Sequence, residues 1–179
     1  DVFLIDIPLF HVGAMTPLVG AISTGAMVIL EYAPDPVKTL QYIQKEKVTM
    51  LIYPPTMFMA LLNMPGFSEY DLSSLRKHIS FGAVLPQVIM EKWNAIKPDL
   101  KWQNFYGSTE TSAPGATSHP KDFGEKGNSI GLPATGLTMK IVDENDNELP
   151  IGEPGEIVIR GPSVMAGYKV PKNVVIQSD

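Results

Sequence analysis

Strand-length apolar runs alternate with helical stretches through the first hundred residues, and this alternation constrains the fold more than any other feature. Val2 to Ile7, Ala26 to Glu31, Val48 to Tyr53, His78 to Phe81 and Lys101 to Phe105 are apolar or β-branched and of strand length. Helical segments lie between them. Asp35-Pro36 is a start signal, with Asp as the N-cap acceptor and Pro at the first helical position, where no N–H is needed. Val37, Leu40, Ile43 and Lys47 follow on one face. Pro55 to Leu62 and Pro86 to Ile96 are the next two helices. In the second of these, Ile89, Trp93 and Ile96 recur at i, i+4 and i+7 as a core-facing stripe. Strands alternating with helices imply an α/β unit over about 1–112, a mostly parallel sheet with flanking helices.

The pattern ends near residue 112. Gly115, Gly124, Gly127, Gly131 and Gly136 punctuate a stretch without helical period, so 113–127 reads as a loop. Thr138 to Asp143 and Glu156 to Arg160 are strand-like, and Asp143 to Asn147 has turn chemistry between them. The portion from about 128 to 179 therefore reads as all-β. The acids at 143, 144, 146 and 148 fit a solvated hairpin tip. The chain begins at Asp1 inside an apolar run, and a piece of a larger protein is expected. No signal peptide is seen, and the apolar runs fall far short of the roughly 20 residues a bilayer needs.

Composition removes several functional classes. The chain has 179 residues, 44% of them hydrophobic and 18% charged, which is enough to bury a core and unlike a disordered segment. Nineteen acidic against fourteen basic residues offer no general attraction to nucleic-acid backbones, so no nucleic-acid partner is expected. The absence of cysteine excludes a disulfide scaffold, a cysteine zinc site and a thiol nucleophile. It fits a reducing compartment, and a cytoplasmic location is expected, peripheral to a membrane at most. There is no P-loop, no dinucleotide fingerprint after a strand, no H-E-x-x-H and no G-x-S-x-G elbow. Histidines 11, 78 and 119 have no metal-cage spacing, and His78 and His119 read as surface residues.

One segment carries chemistry. Gln103-Asn104-Phe105-Tyr106-Gly107-Ser108-Thr109-Glu110-Thr111 follows a strand run and breaks it at a glycine. In open α/β sheets, ligands bind beyond the carboxyl ends of strands. Tyr106 offers an aromatic face for a base, Asn104 an amide for its edge, and Thr109 a hydroxyl for phosphate. Glu110 offers a hard oxygen for Mg²⁺, and Gly107 lets the backbone come close to a ligand. The same residues equally suit a plain strand end whose polar run opens a helix, and spacing leaves both readings open.

Tyr106-Gly107-Ser108-Thr109-Glu110 resembles the Y-G-x-T-E signature of the adenylate-forming superfamily, which holds acyl-CoA synthetases, luciferases and peptide-synthetase adenylation domains. The neighbours agree in order and spacing. Pro8-Leu9-Phe10-His11-Val12-Gly13 resembles P-L-F-H-x-x-G, Ser80 to Pro86 resembles S-G-G-A-x-L, and Ile130 to Pro133 resembles the G-x-P loop. Ile141-Val142-Asp143 and Leu149 to Ile157 are similar to the I-V-D … L-P-x-G-E-x-G-E-I hairpin, and Gly161 to Tyr168 follows as R-G-P-x-V-M-x-G-Y does. The resemblance spans nearly the whole chain.

The resemblance implies an ATP-dependent acyl-CoA synthetase that makes an acyl-adenylate and passes the acyl group to CoA. Tyr106 would stack on adenine, Asn104 would bond its amino edge, and Gly82-Ala83 would line the base. Gly107 and Ser108 belong to the same nucleotide loop. Thr109 would hold a phosphate oxygen, Glu110 would bind Mg²⁺, and His11 would lie beside the acyl carboxylate. Amino-acid-activating relatives carry Phe-Asp where this chain has Phe10-His11, which disfavours an amino-acid substrate. Acetate-activating relatives carry a Trp pair where this chain has Tyr106-Gly107, which allows a larger acyl group. A fatty acid is the first expectation, and an aryl acid or a peptide-synthetase adenylation domain is the alternative. A catalytically silent nucleotide-binding relative is the non-enzymatic alternative. Phe81 departs from the common Gly and would narrow or shift the acyl pocket. Val12, Met15, Met57, Phe58 and Met59 fit either an acyl tunnel or plain core. The resemblance also places 128–179 in a partial β-barrel. The family's phosphate loop, ribose-binding aspartate and late catalytic lysine have no counterpart in this sequence, and Asp179 is not that aspartate. The polypeptide alone is therefore expected to be inactive.

Overall fold

The structure is a computed structural model that describes residues 1–121 and 129–169. Five strands, β1 (Val2–Ile5), β2 (Met27–Leu30), β3 (Met50–Tyr53), β4 (Lys77–Phe81) and β5 (Lys101–Tyr106), pair in parallel in the order β2-β1-β3-β4-β5. Two short antiparallel strands, β6 (Ala116–Thr117) and β7 (Leu132–Pro133), extend the β5 edge to complete a seven-stranded sheet. Helices α1 (Val12–Ser23), α2 (Pro36–Glu46), α3 (Pro55–Leu62) and α4 (Gln87–Ile96) fill the connections between the parallel strands. A separate two-stranded antiparallel sheet joins β8 (Thr138–Val142) to β9 (Glu156–Arg160). The expected α/β class with a mostly parallel sheet is the observed one. Gly124, Gly127 and everything past residue 169 in the expected β-rich portion lie outside the described residues.

Local chemistry explains the boundaries. Asp35 Oδ1 accepts the N–H groups of Val37 and Lys38 at 2.9 and 3.2 Å and opens α2, and Lys47 ends it in the left-handed region with φ 54°. Asp143 Oδ1 accepts the N–H groups of Asn145 and Asn147, which folds the turn after β8.

Side chains alternate across the central strands. Leu51 and Tyr53 of β3, His78 of β4 and Trp102 of β5 project to one side. There they meet Phe58 and Leu61 of α3 and Trp93 of α4, all fully buried. The Trp93 indole N–H donates to the Phe58 carbonyl at 3.2 Å, so the ring is buried without an orphaned donor. Each such large side chain contributes roughly 1.5–3 kcal/mol through burial.

One expectation needs correction. His78 is not a surface residue: it is fully buried against Phe58, Trp93 and Trp102 at ring separations of 4.6, 4.5 and 4.8 Å. Its strand position turns it under α3 and α4. Of the residues that fit either a tunnel or plain core, Phe58 of α3 is fully buried core with Met57 and Met59 packed against it, and Met15 is exposed. Helix α1 forms although Gly13, Thr16, Pro17 and Gly20 all lower helix propensity. Tertiary contacts sustain it through buried Ala14, Pro17 and Ala21 and a bond from the Thr16 hydroxyl to the Ala113 carbonyl at 2.8 Å.

Candidate active site

A cleft of about 310 Å³ opens at the carboxyl ends of the parallel strands. Ile52, Phe81 and Phe105, the strand residues facing away from the α3–α4 core, form its apolar floor with Pro17 and Val12 of α1. Its walls bring together His11, Gly82 and the run Tyr106-Gly107-Ser108-Thr109-Glu110. The chain reverses direction after each parallel strand, so these residues are delivered to one edge from distant parts of the sequence. Two predicted site residues stand just outside the walls. Ala83 is exposed beyond Gly82, and Asn104 is buried in β5. Thr16, Pro17, Ile52 and Ala113 line the cleft and carry no sequence signal of their own.

His11 is the N-cap of α1, and its Nδ1 accepts the Gly13 N–H at 2.8 Å. With Nδ1 engaged as acceptor, a neutral ring carries its proton on Nε2. The fit is tight on this side. A Cβ on Gly13 would lie 2.9 Å from both His11 Nδ1 and Phe81 Cε2. The Phe81 ring sits 6.3 Å from the imidazole. Capping is the signal that would have revealed α1.

On the opposite wall β5 ends at Tyr106 and the chain folds tightly back. The Gly115 N–H donates to the Tyr106 carbonyl at 2.7 Å, and a Cβ on Gly107 would lie 2.8 Å from the Gly115 nitrogen. A single 3-10 turn, Thr109–Thr111, follows, with the Ser108 N–H donating to Thr111 Oγ1 at 3.1 Å. Glu110 Oε1 accepts the Tyr168 hydroxyl at 2.6 Å, and the Glu110 carbonyl accepts the Met165 N–H at 2.8 Å. The Tyr168 bond, first among the causes, holds the Glu110 carboxyl below the ordinary glutamate range.

Asn104 is almost fully buried. Its backbone N–H donates to Ser118 Oγ at 2.7 Å and its amide nitrogen to the Ser129 carbonyl at 3.2 Å, yet Oδ1 has no partner among the described residues. A buried amide oxygen without a donor is costly, and a ligand N–H would satisfy it. No group of three or more His, Cys, Asp or Glu side chains among the described residues is arranged to hold a metal ion. One carboxylate, Glu110, beside the Thr109 hydroxyl is a donor set that would suit a Mg²⁺ carried on a nucleotide, an ion that keeps few protein ligands.

The AMP-binding enzyme family model matches residues 1–169. The chain belongs to the AMP-binding enzyme family. Among AMP-binding relatives, a long-chain-fatty-acid–CoA ligase from Escherichia coli O6:H1 is 37% identical over 166 residues, covering 90% of this chain and 29% of that protein. An indoleacetate–CoA ligase from Aromatoleum aromaticum is 32% identical over 172 residues, covering 94% of this chain and 33% of that protein. The solved structure of a long-chain-fatty-acid-CoA ligase from Archaeoglobus fulgidus superposes with a TM-score of 0.84 at 25% identity, covering 94% of this chain and 35% of that one. This AMP-binding chain thus spans about a third of the length of the curated relatives it matches. No helix among its described residues is long and apolar enough to cross a membrane.

Proposed function

We propose that this chain carries the nucleotide and acyl site of an ATP-dependent acyl-CoA ligase. A carboxylate oxygen attacks the α-phosphate of ATP and expels pyrophosphate, giving an acyl-adenylate. The CoA thiol then attacks the acyl carbon, and AMP leaves. The observation that carries this reading is the meeting of His11 and the Tyr106–Glu110 run across one apolar-floored cleft.

The roles follow from the chemistry of each wall. Tyr106 stacks on the adenine, and Gly82 and Ala83 border it with backbone. Asn104 Oδ1, without a partner among the described residues, accepts the adenine amino group. Gly107 and Ser108 let the loop pass close to the nucleotide. Thr109 donates to a phosphate oxygen and Glu110 holds the nucleotide's Mg²⁺, which supplies charge neutralisation on the reacting phosphates. His11 directs Nε2–H toward the acyl carboxylate, and the positive end of α1 favours that anion.

The apolar floor favours a fatty acid over a polar acid, and Phe10-His11 offers no carboxylate to pair with an amino-acid amine. Aryl acids are the second reading, because an aryl-acetate ligase is among the relatives. The test is calorimetric binding of non-hydrolysable acyl-adenylate analogues bearing alkyl, aryl and aminoacyl groups. The alkyl analogue is expected to bind most tightly, and Tyr106→Ala and Asn104→Ala to weaken all three together. Equal affinity in those variants would remove the adenine site, and preference for the aminoacyl analogue would remove the substrate class.

A further inference from the structure

Glu110 is held from outside the cleft. The segment after β9 reaches it twice, through the Met165 N–H on its backbone carbonyl and the Tyr168 hydroxyl on its carboxylate, the latter contact spanning 58 residues of sequence. The backbone bond already fastens the segment to the 3-10 turn. The Tyr168 ring is 70% exposed, so packing does little to fix it. What the phenol adds is directed at the carboxylate. A 2.6 Å contact has the length of an O–H···O⁻ bond with a charged acceptor, about twice as strong as a neutral one.

We propose that Tyr168 is a positioning residue for Glu110: its hydroxyl ties down Oε1 so that Oε2 is presented in one direction to the divalent cation carried by the nucleotide. The inference rests on the metal role given to Glu110 above. An untethered surface glutamate samples several rotamers and loses that freedom when it binds an ion. Tyr168 takes most of that loss before the ion arrives. The segment 161–168 thereby reports on the cation site, because a shift of Tyr168 releases the carboxylate without moving any wall of the adenine pocket.

The experiment is Mn²⁺ binding to the purified chain in the presence of ATP, followed by electron paramagnetic resonance, with metal-free AMP binding measured in parallel. Tyr168→Phe removes one hydroxyl from an exposed ring and leaves the Met165 backbone bond in place. It is expected to weaken Mn²⁺ binding about tenfold while leaving AMP affinity unchanged. In a Glu110→Gln background the same substitution is expected to change nothing further, as a double-mutant cycle requires of a pair acting as one unit. Unchanged Mn²⁺ affinity in Tyr168→Phe, or an equal loss in the Glu110→Gln background, overturns the inference alone. Unaltered Mn²⁺ affinity in Glu110→Gln itself overturns the metal role of Glu110 and this inference with it.

Discussion

The Tyr53 hydroxyl donates to Asp6 Oδ2 at 2.6 Å, joining the last residue of β3 to the residue that follows β1. The Thr39 hydroxyl of α2 reaches the same oxygen at 3.5 Å and shares a 3.2 Å contact with Tyr53, so three elements meet at one buried carboxyl. Asp6 Oδ1 has no partner among the described residues. Burial pushes the Asp6 carboxyl above its ordinary range; the Tyr53 and Thr39 bonds pull it down, and Glu31 adds to the rise.

A raised acid favours the protonated form in the fold. Its stabilising contribution is therefore complete below the ordinary aspartate value and is lost as pH rises through the raised one. Asp6→Asn keeps an acceptor for Tyr53 and removes the charge. It is expected to raise stability by roughly 1–3 kcal/mol near neutral pH, with the gain shrinking toward about pH 4. Urea unfolding at both pH values measures this, and a variant no more stable than the parent at neutral pH would contradict it.

His78 titrates in the opposite sense. Complete burial depresses its imidazole to about 3, and neither ring nitrogen has a partner among the described residues. The unfolded chain takes up a proton below about pH 6.5 and the folded chain does not, so stability falls as pH drops from there toward 3. The accumulated loss is on the order of several kcal/mol. His78→Leu is expected to flatten this part of the pH–stability curve while holding the fold at neutral pH. An unchanged acid slope by chemical denaturation would place the titration elsewhere.

These two residues also show where the sequence stops being legible. The parallel strands β1 and β3 could be read because burial writes continuous apolar runs into them, and Asp35-Pro36 announced α2 by its own capping chemistry. The Tyr106–Glu110 wall could be read because it is contiguous. His78 could not, since a strand histidine faces either side until α3 and α4 cover one of them. Helix α1 has the His11 cap as its one local signal; the rest of its support, the Thr16–Ala113 bond and the packing of Pro17, is not local in sequence. The orphaned Oδ1 of Asn104 depends on Ser118 and Ser129 occupying the other groups around it.

Two glycines separate backbone strain from steric fit. Gly131 and Gly136 both have φ +85°, but a Cβ on Gly131 would lie 2.0 Å from the Thr117 carbonyl oxygen, whereas one on Gly136 meets nothing within 4 Å. Gly136→Ala is expected to cost about 1 kcal/mol from the left-handed backbone alone. Gly131→Ala must also push β6 away from β7, and a total above about 3 kcal/mol is expected. Thermal unfolding of the two variants checks the difference, and equal shifts would show that the β6–β7 contact yields freely.

If the cleft takes the proposed acyl group, Phe81 is the residue placed to set its selectivity. It is the last residue of β4 and the part of the apolar floor beside His11, its ring centre 6.3 Å from the imidazole. The ring edge comes so close to Gly13 that a single added methyl there would collide with it. Phe81 therefore takes volume from the His11 side of the cleft, the side proposed for the acyl carboxylate, while Gly82, next in the chain, belongs to the proposed adenine side. Removing the ring with Phe81→Gly enlarges the acyl side only. Bulky aryl analogues are expected to gain about tenfold in affinity relative to a slim alkyl analogue, since relieving a steric conflict of this size is worth on the order of 1–2 kcal/mol. AMP affinity is expected to stay constant, because Tyr106 and Asn104 are untouched. Phe81→Leu, which restores part of the volume, is expected to fall between the two. Calorimetry with the same analogues decides the matter: a constant aryl-to-alkyl ratio across Phe, Leu and Gly would mean that the acyl group leaves the cleft without passing Phe81.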